Sequence, residues 1–285
     1  MTDALKARAI ALYDQFTHEG LPRRTFMTRM VALAGGLAAA EALIGTIAAS
    51  PAAAALVPED DRRLTIREQT VADTRAYVAE PRTRSLKPTV LVIHENRGLT
   101  PHIRDIARRL ALAGYRAVAP DFLTPVGGTP TDEDQARAMI GKLDLSAATA
   151  SAVAMLAELS GSSRGGKVGA VGFCWGGASV NRLAVAAGDR LAAGVVYYGP
   201  APAPAEASRV EAPLLIHLAG LDARVNATGF PWVTALRSAN KRVTFQLYDG
   251  VNHAFNNDTS AERFDQKAAD LAWGRTERFF KRHLG

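Results

Sequence analysis

Residues 171–177 read VGFCWGG and set the only cysteine of the chain, Cys174, between two glycines, after an apolar run and before a helix-like stretch. A buried strand that turns directly into a helix forces the corner residue into a strained backbone geometry, and small neighbours let the flanking backbones approach closely. Gly172 and Gly176 meet that demand. The same corner aims the N–H of Trp175, at the helix start, toward the oxygen of a carbonyl attacked by the sulfur. The glycine-x-cysteine-x-glycine pattern alone is moderately specific, and the competing reading of Cys174 is a small apolar residue in a core.

The segments downstream favour chemistry. LAGLDARVN places Asp222 just past the apolar run PLLIHLA, and YDGVNHAF places His253 just past the next strand, on a loop softened by Gly250 and Asn252. Singly, each has a plain reading, the aspartate as a turn former or helix cap and the histidine as a solvent-facing loop residue. Together they stand at successive strand ends in the order nucleophile, acid, histidine, which is the order of an α/β-hydrolase. Cys174, Asp222 and His253 are therefore the candidate catalytic residues.

Elsewhere from Pro58 onward, strands and helices alternate with short connections, which predicts a mainly parallel sheet flanked by helices. Strands are expected in LTIREQTVADTRAYVAEP (two), TVLVIH, YRAVAPD, KVGAVGF, AGVVYYG, APLLIHLAG and VTFQLYDG. Helices are expected in IRDIARRLALAG, TDEDQARAMIG, AATASAVAMLAEL, from Trp175 to about Ala187, and from Ser260 to the end of the chain. The glycine- and proline-rich TPVGGTPTDED is the expected border of a substrate pocket. Trp232, Trp273, Phe279 and Phe280 are expected in the core. At 285 residues, with 48% hydrophobic and 22% charged residues, the chain is a folded α/β protein with one principal domain, residues 58–285. One cysteine excludes an intrachain disulfide.

Residues 1–57 differ in texture. Arg23 and Arg24 precede Thr25 and Phe26, an alanine- and glycine-rich apolar run follows, and ASPAAAALV supplies small residues suited to cleavage. This resembles a twin-arginine export signal, and it implies a periplasmic or exported protein that meets the twin-arginine machinery. Pro22, Thr28 and Glu41 depart from that pattern. The alternative is a retained helical extension in a cytoplasmic protein, with one helix in DALKARAIALYDQF, a turn at His18 to Leu21, and a second helix from Arg23.

The net charge is +6, carried mostly by arginine because lysine occurs only seven times. The arginines are scattered among acids with no basic run interleaved with aromatics, so no nucleic-acid partner is expected. His217 sits in an apolar strand and is expected to be a core residue; His18, His102 and His283 are placed on surface helices. None of these has metal-ligand spacing, and no metal is expected.

HENRGL, APDFL, GFCWGG, LDARVN and NHAFNND together resemble the dienelactone hydrolase family, over roughly residues 62 to 284. That resemblance implies an α/β-hydrolase fold, no cofactor, and cleavage of a lactone or ester through a thioester formed on Cys174. In it His253 is the general base, Asp222 orients His253, and the backbone N–H groups of Trp175 and Asn96 form the oxyanion hole. It further implies that Glu95 approaches the nucleophile and holds it as a thiol until substrate enters; the other reading of Glu95 is a surface carboxylate or a partner of Arg97. His94 is expected to be structural. The dienelactone-cleaving members grip a substrate carboxylate with two arginines. One position is Asn257 here, and the other falls near Ala136 and Arg137, so Arg137 is the candidate substrate contact. An acyl or peptide hydrolase, a thioesterase, or a catalytically silent binding protein on the same fold are the alternatives.

Overall fold

The computed structural model describes residues 3–48, 55–83 and 85–285. Eight strands form one sheet: β1 (Leu64–Val71), β2 (Thr74–Pro81), β3 (Thr89–Ile93), β4 (Arg116–Pro120), β5 (Val168–Phe173), β6 (Ala193–Tyr197), β7 (Leu214–Ala219) and β8 (Val243–Tyr248). Their order is β1-β2-β4-β3-β5-β6-β7-β8. β2 pairs antiparallel with β1 and β4, and every other pairing is parallel. The central strands β3, β5, β6 and β7 are buried along their whole length, which is why they read as unbroken apolar runs rather than alternating ones.

Helices cover both faces. Against one lie α4 (Pro101–Leu112) and α9 (Gln266–Leu284), around Ile103, Leu110, Phe173, Tyr197 and Phe280. Against the other lie α6 (Leu145–Ser160), α7 (Trp175–Ala186) and α8 (Ala223–Ser238), around Leu91, Met155, Leu183 and Trp232. Trp232 and Phe280 are fully buried, and Trp273 and Phe279 pack at the core's margin. Side-chain caps fix several helix starts: Asp132 accepts from the Gln135 N–H at the head of α5 (Glu133–Ile140), Asp144 from Ser146 and Ala147, and Asp265 from Ala268. The Asp265 cap makes α9 begin at Gln266 rather than near Ser260, leaving residues 260–265 free to form a turn.

The N-terminal stretch folds into α1 (Asp3–His18), α2 (Arg23–Ala34) and α3 (Leu37–Ile47). The expected second helix is split, because Gly35 takes a left-handed φ of 82° and α3 leaves α2 at 106°. Ile10, Tyr13, Phe26, Met30, Leu43 and Ile47 make an apolar cluster of their own. Polar contacts then fasten it to the sheet domain. Ser260 Oγ and Arg263 Nε donate to the Ile47 carbonyl at 2.5 and 3.1 Å, the Glu262 N–H donates to the Thr46 carbonyl at 3.0 Å, and Lys6 pairs with Glu262 at 2.5 Å. Arg97 donates to the Tyr13 hydroxyl, and Arg23 pairs with Asp134. Most of ASPAAAALV, residues 49–54, lies outside the described residues. Among the described residues no single helix is long and apolar enough to cross a membrane.

Candidate active site

Cys174 occupies the corner between β5 and α7 with φ 55° and ψ −111°. A side chain at positive φ with that ψ costs on the order of 1–3 kcal/mol and persists only where the surroundings enforce it. They do so here through backbone contact. A Cβ on Gly172 would fall 2.1 Å from the Gly176 carbonyl oxygen, and one on Gly176 would fall 2.1 Å from the Ile93 carbonyl oxygen. Neither oxygen can yield without moving a strand or a helix. Gly176→Ala is therefore expected to cost about 1–3 kcal/mol of stability, as overpacking does. A urea unfolding midpoint equal to wild type would contradict the close approach.

Asp222 ends the turn after β7 and has two tasks. Its Oδ1 accepts from the Val225 N–H at 3.1 Å, capping α8, while Oδ2 accepts from His253 Nδ1 at 2.5 Å. The cap thus fixes the carboxylate that fixes the imidazole. Burial alone would lower the pKa of His253, but the Asp222 carboxylate, the nearby Cys174 sulfur and the hydrogen bond from Nδ1 to Asp222 raise it to about 10. Burial pushes Asp222 up, and His253 outweighs it, so its pKa is lowered. Tyr198 packs edge-on against His253 with ring centroids 5.0 Å apart. His253 Nε2 is buried and has no hydrogen-bond partner among the described residues.

One histidine placed on the surface from sequence belongs to this site. Half-buried His18, at the end of α1, sets Nδ1 3.9 Å from Cys174 Sγ, and its ring centroid lies 4.6 Å from that of His253. The ligand atoms of His18, Cys174 and His253 all lie within 4.8 Å of one another, the only such group of metal-ligand types among the described residues. His102 is also buried, against the surface expectation, and pairs with Asp258 at 3.0 Å. His283 stays partly exposed beside Phe279. His217 is in the core, hydrogen-bonded to Thr276 and Tyr248, and burial lowers its pKa to about 3. His94 is structural: its Nε2 accepts from the Phe122 N–H, and its ring stacks on Trp175 at 5.3 Å.

Glu95 is buried next to Cys174, in neither of the two surface or Arg97-paired arrangements. Its Oε2 accepts from Asn257 Nδ2 at 2.9 Å, its Oε1 has no partner among the described residues, and Arg97 pairs instead with Glu133 at 3.2 Å. The sulfur's hydrogen-bond partner is His18 rather than Glu95. Asn257, at the family's arginine position, is committed to Glu95 and to the Thr259 hydroxyl.

Two cavities meet at the sulfur. A cavity of about 10 Å³ is bounded by His18, Glu95, Asn96, Cys174 and His253. A larger one of about 350 Å³ is bounded by Cys174, Trp175, Ile140, Leu143 and three arginines, Arg137, Arg182 and Arg224. Arg137 lies 3.9 Å over the Phe16 ring and 3.3 Å from Asp134. Burial lowers the pKa of both Arg137 and Arg182. The TPVGGTPTDED loop does not border this cavity; Gly127, Gly128 and Thr129 line a separate one with Arg75 and Asp121, and the joint between α5 and α6 takes the expected place. Sequence reading missed His18, Arg182 and Arg224. Arg224 had a signal, two residues after Asp222 in LDARVN, whereas the others depend on tertiary packing.

A helix-flanked, mainly parallel sheet with cysteine, aspartate and histidine delivered from the ends of β5, β7 and β8 is an α/β-hydrolase, and the class of protein is a hydrolase. The chain belongs to the dienelactone hydrolase family, whose profile matches residues 74–284. A protein of Escherichia coli O157:H7 carrying the description carboxymethylenebutenolidase is 31% identical over 259 residues, 84% of this chain and 94% of its own length. A hydrolase fragment, YghX, of Escherichia coli K12 is 49% identical over 73 residues, 25% of this chain; the chain spans 62% of that fragment's length. Among solved structures, a dienelactone hydrolase from Klebsiella pneumoniae superposes with a TM-score of 0.68 at 26% identity, covering 76% of this chain and 98% of the other.

Proposed function

We propose that the protein hydrolyses a carboxylic ester or lactone through a thioester on Cys174. The observation that carries this reading is the strained Cys174 corner facing a buried His253 that is held by Asp222 at 2.5 Å. Substrate enters the larger cavity, the one proton shared by Cys174 and His253 settles on His253, whose raised pKa suits it to hold that proton, and the thiolate attacks the carbonyl carbon. The N–H of Trp175, at the first turn of α7 where helix N–H groups lack intrahelical partners, and that of Asn96 receive the oxyanion. His253 then returns its proton to the departing alkoxide. The water-sized cavity between His253, Glu95 and the sulfur is the place for the second nucleophile. His253 takes a proton from that water, hydroxide attacks the thioester, and the acid and free thiol are released. No step calls for a cofactor or metal.

The arginines lining the cavity favour a substrate with an anionic group at the far end from the scissile bond, held without the arginine that Asn257 replaces. The test is a rapid-quench mass measurement with a p-nitrophenyl ester that ends in a free carboxylate. A mass increase equal to the acyl group, located on the Cys174 peptide, is expected; an acyl group on any other residue, or none with turnover under way, would refute the reading. The carboxylate ester is also expected to exceed its uncharged methyl-ester counterpart about tenfold in kcat/KM at low salt, with the gap narrowing as salt screens the arginines.

A further inference from the structure

The first three helices carry the marks of a leader, yet they deliver an imidazole to the sulfur. Asn96 explains how that imidazole is held. Asn96 Nδ2 donates to the Thr17 carbonyl at 3.0 Å, which fixes the amide with its nitrogen toward α1. The same nitrogen lies 3.4 Å from His18 Nδ1, so Nδ1 presents a lone pair and the ring proton sits on Nε2. Cys174 Sγ lies 3.9 Å from the same Nδ1, so the thiol is the donor in this long contact and shares the one lone pair with the Asn96 amide. Burial above all holds His18 well below the ordinary histidine pKa, which keeps the ring neutral and the lone pair available. His253 Nε2, by contrast, has no partner. The sulfur's hydrogen-bond contact at 3.9 Å is thus with the imidazole from α1, and the ligand atom of His253 lies within 4.8 Å of both.

We propose that His18 is a working residue of the active site, accepting the resting S–H of Cys174 and walling the substrate cavity, so that the mature enzyme keeps the N-terminal helices instead of shedding them as a signal. The sulfur leaves His18 for His253 when substrate fills the cavity, and no bond is made or broken in that move. Retention also follows from the docking contacts: cutting near residue 55 would strip the acceptor from Ser260 and Arg263, the partner from Glu262 and the floor from the cavity.

This rests on Cys174 as nucleophile, but its test does not, because alkylation of the thiol reports on His18 whether or not Cys174 turns over substrate. Second-order rates of iodoacetamide labelling at neutral pH are compared for wild type, His18→Leu, which fills the space without an acceptor, and His18→Asn, which keeps an acceptor near the Nδ1 position. Leucine is expected to raise the rate about fivefold, the worth of one modest hydrogen bond, and asparagine to return it to within about twofold of wild type. A wild-type rate in the leucine variant overturns the proposal, and so does an equal rise in both variants. Intact-mass measurement of the protein isolated from its native host is the second arm. A chain that retains α1 supports the proposal, and one that starts near residue 55 overturns it.

Discussion

Cys174→Ala is expected to cut turnover of the ester substrate by about five to six orders of magnitude, leaving only what binding and the oxyanion donors provide. The expected loss is that large because in the proposed mechanism the sulfur is the atom to which the acyl group is transferred. Alanine keeps the Cβ and retains the corner geometry, so the circular dichroism spectrum and unfolding midpoint are expected to stay near wild type. Activity within about tenfold of wild type would refute the assignment of the nucleophile.

Asp222→Asn is expected to lower kcat by about four orders of magnitude with KM little changed, as the loss of the orienting acid does in other nucleophile–histidine enzymes. Asparagine can still cap α8 through Oδ1, so folding is preserved while the charge beside His253 is removed. The pH behaviour follows from the same charge. His253 has a folded-state pKa raised to about 10, above the ordinary histidine value, so its pairing with Asp222 stabilises the fold fully below about pH 6.5 and fades as pH rises through about 10. In Asp222→Asn the histidine ring resonances followed by NMR are expected to titrate at much lower pH, and the alkaline fall in stability is expected to shrink. A His253 titration unmoved by the substitution would show that the carboxylate is not its partner in solution.

Much of the fold, and the convergence of the candidate trio, was readable because the relevant signals are local. The buried parallel strands are unbroken apolar runs, and GFCWGG joins a strand to a helix in a way few other sequences require. α8 was harder to see, since Gly229 and Pro231 interrupt its pattern, and it is held by the Asp222 cap and by Trp232 in the core. The sequence predicts one continuous second N-terminal helix, since two glycines in an alanine-rich run do not by themselves reveal a turn of 106°. His18 could not be found from sequence. Its partner lies 156 residues away, and the end of an amphipathic helix looks the same whether it faces water or a thiol.

The N-terminal helices are fastened at Ile47 through a main-chain oxygen, with the gripping side chains, Ser260 and Arg263, both on the other partner. A peptide carbonyl is present whatever residue is encoded, so codon 47 can drift among apolar types without loosening the attachment. Heritable constraint on this joint falls instead on positions 260 and 263.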